Sequence, residues 1–87
     1  MAHHKDALKR LRQSEKRRLR NRHYKSRVKT FVKKALALAE SGDYEARLAA
    51  FRKAESEIMH ARSKGVLHPN TASRKVSRLA KRLGITT

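Results

Sequence analysis

Residues Lys9 to Lys29, KRLRQSEKRRLRNRHYKSRVK, set the tightest limit on what this chain can become. Free of Gly and Pro and rich in Arg, Lys and Leu, the stretch reads as helix. Its only apolar residues are Leu11, Leu19, Tyr24 and Val28, too few for a face that packs on a core along its whole length. Any fold must leave much of this helix outside.

The rest of the chain is divided by one proline, Pro69, and three glycines, Gly42, Gly65 and Gly84. Asp6 is placed to cap a first helix that stops at Ser41-Gly42, a helix-ending glycine. Asp43 is placed to cap a second, with Glu45 in its first turn where negative charge suits the helix dipole, and Lys64-Gly65 closes it. Pro69 suits the first position of a third helix, which stops before Gly84. No β-branched residues alternate over a strand length. The expectation is an all-α fold: one domain over 1–87, a three-helix bundle of helices 6–40, 43–64 and 69–83, with an extended basic N-terminal helix projecting beyond it.

Apolar spacing supplies the faces of that bundle. At 100° per residue, Tyr24, Val28, Phe31, Val32, Ala35, Leu38 and Ala39 fall within roughly 120° of arc. Phe51, Ala54, Ile58 and Ala61 form the second stripe, with Leu48 and Met59 at its margin. Ala72, Val76, Leu79 and Leu83 form the third. At 1.5 Å per residue the first helix would reach about 52 Å, against about 31 and 22 Å for its partners, so its first half has no protein beside it. There the arc that later carries the stripe carries Arg10, Gln13, Ser14, Arg17, Arg20 and Asn21, side chains suited to phosphate rather than to a core.

Charge points to the partner. The chain has 24 Lys and Arg against 7 Asp and Glu, a formal net charge of +17. Residues 1–34 hold fourteen of the cations and two acids, residues 64–87 hold six and none, and the middle is near neutral. Lys9, Arg22 and Lys25 occupy other sides of the first helix, so it is basic all round, and Arg12, Ser26, Arg27 and Lys29 are grouped with its candidate nucleic-acid contacts. Like charges stand four apart at Arg12/Lys16, Lys16/Arg20, Arg18/Arg22 and Lys25/Lys29, each pair unfavourable by about 0.2–0.5 kcal/mol. A polyanion relieves that repulsion by counterion release. On the third helix Arg74, Lys75, Arg78, Lys81 and Arg82 lie within about 120° of arc opposite the apolar stripe, a second basic patch.

Four aromatic residues, with Phe31 and Phe51 taken up in the core stripes, make no stacking platform for single-stranded bases. The apolar stripe is too short for the leucine heptads of a basic zipper. Structured RNA, read by backbone and shape, fits best. A histone-like architectural DNA-binding protein is the alternative, and a basic helix aimed at an acidic protein is a third class. No segment is apolar enough to span a bilayer, and the leucines of the basic stretch are too few for a membrane-surface helix. No cysteine is present, which fits a reducing compartment, so the chain is expected to be cytoplasmic. His3 and His4 have no further ligands at metal spacing, Glu55 and Glu57 point to different helix faces, and no serine has a base beside it. No enzyme, metal site, cofactor or small-molecule substrate is expected.

The segments QSEKRRLRN (Gln13 to Asn21), Ser26, TFVKK (Thr30 to Lys34), the Gly42-Asp43 turn and KGVLHPN…RKVSRL (Lys64 to Leu79) resemble the bacterial ribosomal small-subunit protein twenty family, in order and over nearly the whole chain. That resemblance implies a three-helix bundle with an extended first helix that binds small-subunit rRNA directly during early assembly. It further implies a bridge between the rRNA 5′ domain and the long helix of the 3′ minor domain, with other small-subunit proteins as further partners. By resemblance, Lys16, Arg17, Arg18 and Asn21 take rRNA contacts in the first helix. Lys64, His68, Asn70, Arg74, Lys75 and Arg78, with Ser77 inside the same motif, take those of the second turn and third helix. The chain departs from the family at His3 and His4, at Pro69, where a basic residue is usual, and at Val76, where lysine is common; by spacing Val76 belongs to the apolar stripe.

Without an apolar stripe and under its own repulsion, the segment before about Tyr24 is expected to be largely unfolded in the isolated protein. Amide hydrogen exchange without RNA should show little protection from Lys9 to Arg22.

Overall fold

The computed structural model describes residues 2–85, with side chains from Lys5 onward. Three helices follow in order: α1 Ala2–Leu36, α2 Tyr44–Ser63 and α3 Pro69–Leu83. With 35, 20 and 15 residues they run about 52, 30 and 22 Å. The molecule extends 65 × 20 × 13 Å with a radius of gyration of 17.5 Å, where a compact chain of this length would have about 12 Å. The excess belongs to α1, whose side chains from Lys5 to Arg20 are all exposed. This segment, expected to be unfolded in isolation, is helical here, held by its own backbone bonds with no tertiary packing.

The core is small and made largely of small side chains. One cluster joins Ala35, Phe51, Ala54, Leu79, Leu83 and Ile85; the other joins Val28, Ile58, Ala61 and Ala72. Val32 and Val76 pack against both and make them continuous, which places Val76 in the apolar stripe. Ala35, Ala54, Ala61 and Ala72 are fully buried, so the helix axes approach closely where they meet. Leu38, Ala39 and Leu48 are half-buried, and Met59 at the margin of its stripe is 42% exposed.

The ends of the helices show which local signals act. Asp43 accepts a hydrogen bond from the Ala46 N–H (3.2 Å) as the N-cap of α2, and Glu45 lies in the first turn. The Nδ1 of His68 accepts from the Asn70 N–H (3.1 Å) as the N-cap of α3, with Pro69 in the first position. Gly65 and Gly84 take left-handed φ values of 75° and 66°. Each closes a Schellman turn, Val66 N–H to Ala61 O and Ile85 N–H to Ala80 O, both 2.9 Å. These turns fold Val66 and Ile85 back against the core.

The first helix departs from its expected bounds at both ends. Helix is already present ahead of Asp6, so Asp6 is an interior residue and not the cap. At the other end α1 stops at Leu36, and the chain continues to Ser41 through i to i+3 bonds such as Ala39 N–H to Leu36 O. Because the helix tightens out in this way, Gly42 has no left-handed cap to make. The turn is held instead by Arg47, whose Nε donates to Leu83 O at 2.9 Å and whose Nη1 donates to Ser41 O. One guanidinium thus ties the α1–α2 turn to the last carbonyl of α3.

Ile58, fully buried on α2, is the largest side chain of its cluster. Ile58→Ala is expected to cost about 3 kcal/mol, a large share of the stability of a domain this small. Thermal unfolding followed by circular dichroism should show it, while Met59→Ala, one position along, should shift the midpoint little.

Candidate nucleic-acid interface

Protein contact to α1 begins at Asn21 and Tyr24, the first half-buried residues of the helix. The Tyr24 ring meets His60 of α2 edge-on at 5.3 Å and His23 at 5.5 Å. Before this point about 30 Å of helix stands free. Lys9, Arg10, Arg12, Gln13, Lys16 and Arg20 lie on this free stem, all exposed. A shallow concavity follows one side of the stem toward the bundle, where Ser14, Asn21 and Ser26 lie among Arg17, Arg18, Arg22, Lys25 and Lys29. The exposed Leu8, Leu11 and Leu19 are scattered along the stem and make no continuous apolar face.

Among the described residues, every ion pair converges on Glu57. Arg27 donates to it twice, Nε to Oε2 at 3.0 Å and Nη2 to Oε1 at 2.8 Å, and Lys53 Nζ lies 3.8 Å from Oε1. The Glu57 side chain is 7% exposed and that of Arg27 44%. Hydrogen bonding from Arg27 holds the Glu57 carboxyl below its ordinary 4.5, against burial, which pushes it up; the charges of Arg27, Lys53 and His60 add to the lowering. The same hydrogen bonds raise the Arg27 guanidinium. Arg27, grouped with the RNA-contacting residues on sequence grounds, therefore turns its Nε and Nη2 into the bundle and locks α1 onto α2. Sequence reasoning did not find this pair: the α2 stripe places Glu57 beside Ile58, but only the crossing of α1 over α2 sets Arg27 against it. The ring of Phe31, next on α1, is surrounded by Arg27, Lys34 and Lys53 at 5.7, 5.1 and 5.2 Å.

Four of the five basic residues of α3 are divided between two grooves. Lys75, Arg78 and Arg82 face α1 across a groove containing Val32, Leu36 and Leu79. Ser77 and Lys81 lie on the other side, in a groove toward α2 with Phe51, Glu55 and Met59. The structure thus does not bring Ser77 together with Lys75 and Arg78. Lys64, Asn70 and Arg74 are exposed around the α2–α3 connection, as is His68, whose Nδ1 is taken by the cap. The side chains of His3 and His4 lie outside the described residues.

A long basic helix standing out from a thin all-α bundle, the cations of its free stem without ion-pair partners among the described residues, fits a polyanion-binding protein. The chain belongs to the family described as Ribosomal protein S20, whose model matches residues 2–84. It is 52% identical over 81 residues to Small ribosomal subunit protein bS20 of Trichlorobacter lovleyi, covering 93% of each chain. The protein of the same name from Paramagnetospirillum magneticum is 51% identical over 83 residues, 95% of this chain and 92% of the relative. That from Nautilia profundicola is 47% identical over 79 residues, covering 91% and 88%.

A carboxylate whose folded pKa lies below its unfolded value stabilises the fold fully above the unfolded value, and that contribution is lost as pH falls through the folded one. The margin in melting temperature of the native protein over Glu57→Gln is therefore expected to be constant above about pH 5.5 and to shrink as the pH drops below about 4.5. Paired thermal melts across that range check it.

Proposed function

We propose that this chain is a structural constituent of the bacterial small ribosomal subunit and that it binds small-subunit rRNA directly. The reading rests above all on one observation: about 30 Å of helix, basic on every side, has no other helix beside it, and among the described residues none of its cations lies within ion-pair distance of a carboxylate. Such a helix slots among RNA helices, where its cations replace condensed counterions and let phosphate backbones approach. The bundle supplies direction. With Arg27 locked to Glu57 and Tyr24 against His60, the stem leaves the bundle at one angle and in one rotational setting. Lys16, Arg17, Arg18 and Asn21 of the stem, and Lys64, Arg74, Lys75 and Arg78 of the bundle, are the contacts proposed. Two basic regions joined by a near-neutral middle suit a bridge between separate parts of the rRNA, the 5′ domain and the 3′ minor domain. The protein acts on the ribosome in the cytoplasm as a single domain, and no catalytic step is assigned to it.

The test is binding to full-length small-subunit rRNA against total tRNA and duplex DNA as competitors across a salt series. A preference for rRNA of about a hundredfold or more, with a steep log–log salt slope, is the expected result. Equal competition by duplex DNA at matched salt would instead favour an architectural DNA-binding role. In the same assay Arg17→Ala should weaken binding and flatten the slope by about 0.7–0.9, one phosphate contact, with the melting temperature unchanged.

A further inference from the structure

We infer that the trough between α1 and α3 extends the RNA surface of the stem and takes a single sugar–phosphate strand with its riboses on an apolar floor. The inference rests on the RNA-binding reading above and adds where the bundle grips and what it grips. Lys25, Lys29 and Lys33, four apart on α1, form one row of cations along the trough. Lys75, Arg78 and Arg82, at spacings of three and four on α3, form the other. Between the rows lie Val28, Val32, Leu36, Leu67 and Leu79. Among the described residues, no acidic side chain lines the trough.

The trough also continues the stem. Lys25 and Lys29 line both the stem concavity and the upper trough, while Val32 and Lys75 line both halves of the trough. A cationic path therefore runs unbroken from Ser14 on the stem to Arg82 on α3. Its shape selects the ligand. Packed helices lie about 8–10 Å apart, so the furrow between them admits one strand and not a whole duplex. Cations converging from two sides suit one row of phosphates, and an apolar floor suits the carbon face of the sugars. Among the described residues no aromatic side chain lines the trough, so bases are not stacked there and point away, which makes the grip independent of sequence. A second copy of the chain is disfavoured as occupant, because each copy carries a formal charge of +17.

The chain contains no cysteine, so one introduced cysteine is a unique attachment point. Lys33→Cys and Arg78→Cys, one from each row and both exposed, are each coupled to a tethered hydroxyl-radical source and bound to full-length small-subunit rRNA. Both are expected to cleave the same short stretch of one RNA strand. Cuts on two separate strands, or no cuts from either position while the rRNA stays bound, would overturn the inference; the second result would leave the trough open to another occupant such as an acidic protein segment. As an independent readout, Lys33→Ala with Arg78→Ala should lower the log–log salt slope by roughly 1.4–1.8, two phosphates, and an unchanged slope would also overturn it. Failure of the wild-type protein to prefer rRNA over tRNA and duplex DNA would be a different result, striking the ribosomal reading itself.

Discussion

Helix α1 is longer than anything the rest of the chain can lay beside it, and the other features of the structure follow from that mismatch. Only the segment from Asn21 to Leu36 has neighbours, so about four and a half turns must anchor a helix of nearly ten. The anchorage is accordingly of mixed kinds. Val28 and Ala35 are buried, Phe31 packs on the core with cations around its ring, and Arg27 grips a carboxylate presented by α2. Apolar burial alone resists separation but tolerates rotation about the helix axis. A two-point hydrogen-bonded ion pair fixes rotation as well, because its geometry is directional.

Much of this was legible in the sequence where the governing physics is local. The caps at Asp43 and the proline at Pro69 act within a few residues, and α2 and α3 begin where those signals say. The stripes of α2 and α3 needed only helical periodicity, and Val76 could be assigned to the core from spacing alone. The departures come where two segments distant in sequence decide the outcome. The Arg27–Glu57 pair spans 30 positions and is invisible until α1 crosses α2. Gly42 carries the ordinary signature of a helix end, yet Arg47, reaching from α2 to Ser41 and Leu83, stabilises a turn that does not use it. Ser77 shares a motif with Lys75 and Arg78, and Lys81 shares their basic arc, but α3 packs so that the two pairs open onto different grooves. Val66 and Ile85 lie outside the periodic stripes and become core only because Gly65 and Gly84 turn the chain back.

The electrostatics divide the molecule by function. Glu57, the one buried charged residue among those described, is satisfied within the bundle, and Arg27 and Lys53 are the cations within ion-pair distance of a carboxylate. The cations of the stem and of the α1–α3 furrow have no such partner among the described residues. Their field is therefore directed outward, along one path, instead of being cancelled on the protein's own surface. This arrangement is unfavourable for a free protein and favourable for one that spends its working life against phosphate.

The four fully buried alanines, Ala35, Ala54, Ala61 and Ala72, do more than fill space. A side chain of one carbon is the smallest that still excludes water at a helix crossing, and it lets the helices pack more closely than a larger side chain would. The body is left only 13 Å thick between Cα extremes. It is in effect a shim, a spacer whose gauge is set by methyl groups. Enlarging any of these alanines would act at a distance, by changing the clearance between whatever lies on the two sides of the bundle, without touching a single charged residue.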